Sequence, residues 1–294
     1  MRKLALSLLI ALAAGAVTAQ TPPTPAGPTP TARAPLVERS DGPVTIEADD
    51  GIEWRRDEKV YIATGNAVAT RGTTRVRGDR LIARYRDQAQ GDRAELGTTQ
   101  FGGDIYRFEA LGGVVITTPS QKAVGERGIY EVDQQLMVLT GGDLRIEADA
   151  DFVTARDSIE WYEDRQIAIA RGDAAAVRGD RRVDADVLVA HVEEDPQRPG
   201  TQRLRRVEAF GAVRVTTPTQ VARGDRGVYV TATDTATLAG AVKLTQGDNQ
   251  LNGDYGEMNM TTGVGRLLPS PDGRVRVHGL IVPSQSQTPP ARPR

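Results

Sequence analysis

An internal duplication constrains the fold of this chain more than any motif does. Val60 to Leu81 (VYIATGNAVATRGTTRVRGDRL) matches Ile167 to Leu188 (IAIARGDAAAVRGDRRVDADVL) without a gap at an offset of 107, and Glu109 to Tyr130 matches Glu208 to Tyr229 at an offset of 99. Inside each half a smaller unit recurs: a Gly, two alternating apolar positions, a polar turn, then Gly-Asp or a close variant thirteen residues after the first Gly. Five pairs share that spacing: Gly65 with Gly78, Gly112 with Gly125, Gly172 with Ala185, Gly211 with Gly224, and Gly240 with Gly253. A chain assembled from copies of one short unit folds by stacking them, because a single copy has no neighbour against which to bury its apolar face.

The apolar positions within the unit alternate with period two, which predicts strands and very little helix. Counted from the first Gly, position +2 is Ala67, Val114, Ala174, Val213 or Val242, and position +4 is Ala69, Ile116, Ala176, Val215 or Leu244; all are apolar. The position between them is Val68, Val115, Ala175, Arg214 or Lys243, so this side is expected to face water. Each unit reads as two strands joined by a polar turn such as Thr70-Arg71-Gly72-Thr73. The inward +2 and +4 side chains either line an apolar groove or pack against one another in a closed core, and both readings stand at this level.

The ends differ from the middle. Arg2 and Lys3, the apolar run Leu4 to Ala14 and the small residues Val17-Thr18-Ala19 read as a signal peptide over residues 1–19, cleaved on secretion. A Pro/Thr-rich linker follows over 20–40, and a disordered Pro-rich tail is expected over 283–294. Between them residues 41–282 form the folded part, with duplicated halves at about 41–142 and 143–282. The chain has no cysteine, which excludes disulfides, thiolate metal sites and a lipidated N-terminal Cys, and its net charge of -2 carries no nucleic-acid footprint.

The Gly65-Asn66-Ala67-Val68 strand with Gly78-Asp79, and the late segment Leu238 to Asp254 with its Gly240 and Gly253-Asp254, followed by Thr262-Gly263 and Arg266-Leu267, resemble the OstA-like (LptA-like) family of periplasmic lipopolysaccharide-transport proteins. The resemblance covers roughly Val44 to Leu268. It implies an elongated, V-shaped β-jellyroll of stacked antiparallel strands, located in the periplasm, whose apolar groove holds the acyl chains of lipopolysaccharide. The implied groove candidates are Ala67, Ala69, Val114, Ile116, Ala174, Ala176, Val213, Val215, Val242 and Leu244. It further implies head-to-tail joining to an LptC-like inner-membrane protein and an LptD-like outer-membrane protein, or to further copies of the chain. Two edge strands are assigned to that joining, one through Val44, Ile46 and Ala48 and the other through Val275 and Val277, because unpaired strand edges accept another chain.

No catalytic constellation, metal site or cofactor is expected. His191 and His278 stand far apart and neither has a His or Cys at ligand spacing. Asp79, Asp180 and Asp225 are read as structural turn residues, and no phosphate loop or nucleophile elbow occurs. The basic groups Arg71, Arg75, Arg77 and Arg178, Arg181, Arg182 read as solvated turn residues or as contacts for lipid phosphates. Two other functional classes remain open: a structural or carbohydrate-directed β-solenoid of the cell surface, and the periplasmic domain of an LptC-like inner-membrane partner.

Overall fold

The computed structural model describes residues 44–87, 104–148, 151–197, 202–259, 261–262, 264–269 and 276–282. The signal-peptide, linker and tail expectations therefore lie outside the described residues, as does Val275. Every regular element among the described residues is a strand. The first repeat contains β1 (Thr45–Glu47), β2 (Gly51–Arg55), β3 (Val60–Arg71), β4 (Thr74–Arg86), β5 (Asp104–Thr117), β6 (Lys122–Glu131), β7 (Leu136–Thr140) and β8 (Leu144–Ala148). The second contains β9 (Asp151–Ala155), β10 (Ser158–Tyr162), β11 (Ile167–Arg178), β12 (Arg181–Glu194), β13 (Gln202–Thr216), β14 (Val221–Val230) and β15 (Thr235–Gln246). Beyond it lie β16 (Asn249–Asn259), β17 (Gly265–Leu268) and β18 (His278–Leu280).

The strands form an antiparallel meander in which each layer pairs with the next. Long strands are bent in the middle, and the bend sits at the first Gly of each unit. The ladder slips between Thr64 and Ala67, Leu111 and Val114, Arg171 and Ala174, Phe210 and Val213, and Ala239 and Val242. These are β-bulges, which insert extra residues on one strand and turn it sharply. At Gly112 the reason for glycine is twofold: its φ is +75°, and a Cβ there would clash with the Oδ2 of Asp79 on the preceding strand. Asp79 and Asp225 thus belong to the bends inside β4 and β14, not to the hairpin turns expected for them; Asp180 does lie in the turn between β11 and β12.

The thirteen-residue interval corresponds to one hairpin. Ala67 faces Gly78, Val114 faces Gly125, Ala174 faces Ala185, Val213 faces Gly224 and Val242 faces Gly253. Where a layer is broken at the bend, two short strands share it. β1 and β2 both pair with β3, β7 and β8 with β6, β9 and β10 with β11, and β17 and β18 with β16.

The repeat offset holds in the register. Ile46 faces Ala69 as Val153 faces Ala176, and Trp54 faces Tyr61 as Trp161 faces Ala168, each pair 107 residues on. The structural counterpart of Ile46 is accordingly Val153 on β9, although Ile146 has the closer local sequence. The division expected between Gly142 and Asp143 falls at the bend inside the β7/β8 layer, and the copy of the first layer begins with β9.

Among the described residues the +2 positions are fully buried in all five units, and the +4 positions are buried or half-buried. The intervening positions are half-buried or exposed except Ala175, which is 1 % exposed. The bulkiest fully buried side chains, Trp161, Met137, Leu139 and Leu144, all lie in the two layers where the repeats meet.

Candidate functional site

Among the described residues two apolar cavities open inside the stack. One, of ≈ 160 Å³, lies in the first repeat and is lined by Val44, Ile46 and Ile52 from the end layer and by Tyr61, Ala69, Val76, Val114, Ile116 and Met137 further in. The other, of ≈ 210 Å³, lies in the second repeat against Val183, Val207, Val213, Val215, Leu238, Val242 and Leu244, and is closed beyond it by Met258 on β16 and Leu267 on β17. Both exceed the roughly 150 Å³ at which an apolar cavity accepts a benzene ring, so each can receive a stretch of hydrocarbon. Between them a cleft of ≈ 20 Å³ beside Ile146, Val153 and Ala176 has room for little more than one water.

The residues singled out by their spacing separate accordingly. Ala69, Val114 and Ile116 line the first cavity, and Val213, Val215, Val242 and Leu244 the second. Ala67 and Ala174 are fully buried and line neither, since each is pressed against the small residue opposite it at the bend. Ala176 borders the small central cleft alone. A single groove running through all ten positions is therefore not what these side chains form. Close packing of the middle layers interrupts it.

Several lining residues were not among those chosen from the +2 and +4 pattern. Phe108 and Ala110, Val207 and Ala209 are the -4 and -2 positions of the same units, and each pair faces a cavity. The alternation runs through the Gly in both directions, a signal present in the sequence. Leu238 is likewise the -2 position of the Gly240 unit, whereas Met137 and Met258 come from other strands and carry no such mark.

Among the described residues the two end layers are open: β1 and β2 pair with β3 alone, and β17 and β18 with β16 alone, so each end presents unpaired backbone groups. Among the described residues the exposed large hydrophobics are confined to these ends: Val44, Ile52 and Trp54 at one, and Val264, Leu268, Val277, Leu280, Ile281 and Val282 at the other. Of the assigned edge residues, Val44 and Ile46 also line the first cavity, Ala48 packs partly buried against the core just beyond β1, and Val277 is exposed beside β18. At the first end Trp54 stacks on Tyr61, with ring centroids 5.8 Å apart, and its Nε1 donates to the Tyr85 hydroxyl at 2.8 Å.

Charge is arranged around single carboxylates. Arg84 Nε and Arg107 Nε donate to Glu109 Oε1 at 3.2 and 3.1 Å, and Arg127 Nη2 donates to Oε2 at 3.0 Å. Burial pushes the Glu109 carboxyl up, but the hydrogen bonds from Arg84 and Arg127 and the charge of Arg107 outweigh it and hold the group below the usual carboxylate range. The second repeat keeps the carboxylate as Glu208, 3.1 Å from both Arg206 Nε and His191 Nε2, His191 standing where Arg84 stands in the first. Among the described residues no group of three or more His, Asp or Glu is placed to hold a metal ion. The two basic groups read as turn residues end differently: Arg182 pairs with Asp184 at 2.6 Å, while Arg71 and Arg75 are exposed beside the β3–β4 turn.

Comparison with known proteins follows this geometry. The family profile described as "LptA/(LptD N-terminal domain) LPS transport protein" matches the chain twice, over residues 45–164 and 157–264, one match for each repeat. An uncharacterized protein of Rhizobium meliloti (strain 1021) is 32 % identical over 102 residues, covering 35 % of this chain; the chain spans about half, 51 %, of that relative's length. Among solved structures, LptH, described as the LptA homologous periplasmic component of the lipopolysaccharide transport device of Pseudomonas aeruginosa, aligns with 51 % of this chain and 97 % of its own, at a TM-score of 0.36 and 15 % identity.

Proposed function

The chain belongs to the family of LptA and LptD N-terminal domain lipopolysaccharide transport proteins, and from that membership we propose that it is a non-enzymatic periplasmic carrier. In this reading it shelters the acyl chains of lipopolysaccharide between its layers and bridges the inner and outer membranes. One observation carries the proposal: apolar cavities open within a stack whose two end layers are unpaired among the described residues. Exposed hydrocarbon costs about 25 cal/mol per Å² in water, so a lipid with several acyl chains needs continuous cover to cross an aqueous compartment. The cavities supply cover, and no reacting group is required of them.

The open ends suit the joining of carriers into a bridge. An unpaired edge with alternating side chains accepts an antiparallel strand through main-chain hydrogen bonds, and apolar side chains on that edge are buried on contact. β1 and β2 at one end and β17 and β18 at the other would meet LptC-like and LptD-like proteins, or further copies of this chain. The sequence expected to act as a signal peptide is consistent with a periplasmic location.

Site-specific photocrosslinking to lipopolysaccharide in cells tests the carrier reading. A benzoylphenylalanine at Ile116, Val215 or Leu244, which line the cavities, is expected to give lipid adducts, and at Val115 or Arg214, on the intervening positions, none. Folded, exported protein without adducts at any cavity position would sink the proposal and favour a structural or carbohydrate-directed solenoid.

A further inference from the structure

β10 is an internal copy of the edge strand β2. Ile52-Glu53-Trp54 and Ile159-Glu160-Trp161 lie 107 residues apart, with the same register against the strand that follows. Their surroundings are opposite. Trp54 is 41 % exposed, whereas Trp161 is 2 % exposed because β7 pairs on its open side and sets Met137 directly across from it. Tyr61 and Tyr85, which stack with and accept from Trp54, become Ala168 and Val192 in the second repeat. Val192 cannot accept a hydrogen bond, and the Trp161 Nε1 is buried without a partner. Packing alone holds this ring.

The seam is also where apolar space stops. The first cavity ends at Met137 and the second at Val183, and the layers between are filled by Trp161, Leu139 and Leu144. The ≈ 20 Å³ cleft there is too small for a methylene chain. We infer that the chain holds two separate acyl-chain sites, one in each repeat, and that Trp161 is the partition between them. The inference rests on the carrier reading above and adds to it that one chain takes two lipids. A lipid passed along the stack crosses the seam when the indole leaves its slot, a movement that breaks no hydrogen bond.

The test uses the purified mature chain and lipopolysaccharide. Native mass spectrometry is expected to saturate at two lipids per chain, and benzoylphenylalanine at Ile116 or at Leu244 to give adducts independently, with none from Leu139 in the seam. Leu244→Asp is expected to lower the stoichiometry from two to one while adducts at position 116 persist. With Trp54→Phe, Trp161 is the sole tryptophan, and its emission should stay that of a buried indole as both sites fill. Trp161→Leu should open the seam and bring adducts to position 139; the measurements on the unaltered seam stand whether or not that variant folds. Saturation at one lipid that crosslinks from positions 116, 139 and 244 alike would overturn the partition and leave the carrier reading intact. A folded chain that binds no lipid would remove both.

Discussion

At the scale of single residues, the bend separates two costs that usually come together. Gly112 and Gly113 are adjacent and both have positive φ, +75° and +53°, but a Cβ at 112 meets Asp79 while one at 113 meets open space. Gly113→Ala therefore carries the conformational term alone, about 1 kcal/mol, whereas Gly112→Ala adds the clash and should cost clearly more. Asp79→Ala combined with Gly112→Ala should recover part of the difference in a urea-denaturation cycle. The second repeat places Ala212, φ +46°, where the first has Gly113. Ala212→Gly is thus expected to raise stability by up to about 1 kcal/mol, the reverse of the usual sign. For Trp161, Phe retains most of the ring and removes a buried donor without an acceptor, so Trp161→Phe should be close to neutral, while Trp161→Ala should cost about 3–5 kcal/mol.

At the scale of elements, the hairpins were legible because each carries its own instructions: a Gly at the bend, alternating side chains, a polar turn, and a partner bend thirteen residues after that Gly. Ala175 shows the limit, since it is buried at a place in the unit where the alternation predicts exposure. The outer face of β4, β5 and β6 is tied by Arg84, Arg107 and Arg127 around Glu109, and this gives the first repeat a pH dependence. The Glu109 carboxyl titrates below its unfolded value, so its contribution is present above the unfolded pKa of about 4.3 and is lost as pH falls through the lower folded value. Acid unfolding followed by circular dichroism should show this loss, and Glu109→Gln should destabilise the protein at neutral pH while flattening the acid limb.

At the scale of the whole molecule, the proposed head-to-tail joining sets the strands open at one end, among the described residues, against those at the other, and such contacts join unlike surfaces and propagate into a line instead of closing as a symmetric dimer. Sedimentation should therefore show association that grows with concentration. Trp54→Asp or Leu268→Asp should each abolish it, and a mixture of the two variants should form pairs and no longer species, because each retains one intact end. Pairing between identical ends would produce dimers from either variant alone and contradict the edge assignment.

The sequence by itself determined the strands, their order, the bends and the inward face, because these depend on residues a few positions apart: glycines that must adopt positive φ, and apolar side chains that alternate. It also marked the duplication and the family. Only the tertiary structure decided which inward positions border open space. Val213 and Val114 meet cavities while Ala174, at the same place in its unit, meets a filled layer, since the volume available to each depends on side chains brought from distant strands. The exchange of Tyr61 and Tyr85 for Ala168 and Val192, together with Met137 arriving from the other repeat, turned an exposed tryptophan at the end of the stack into a buried one at its centre.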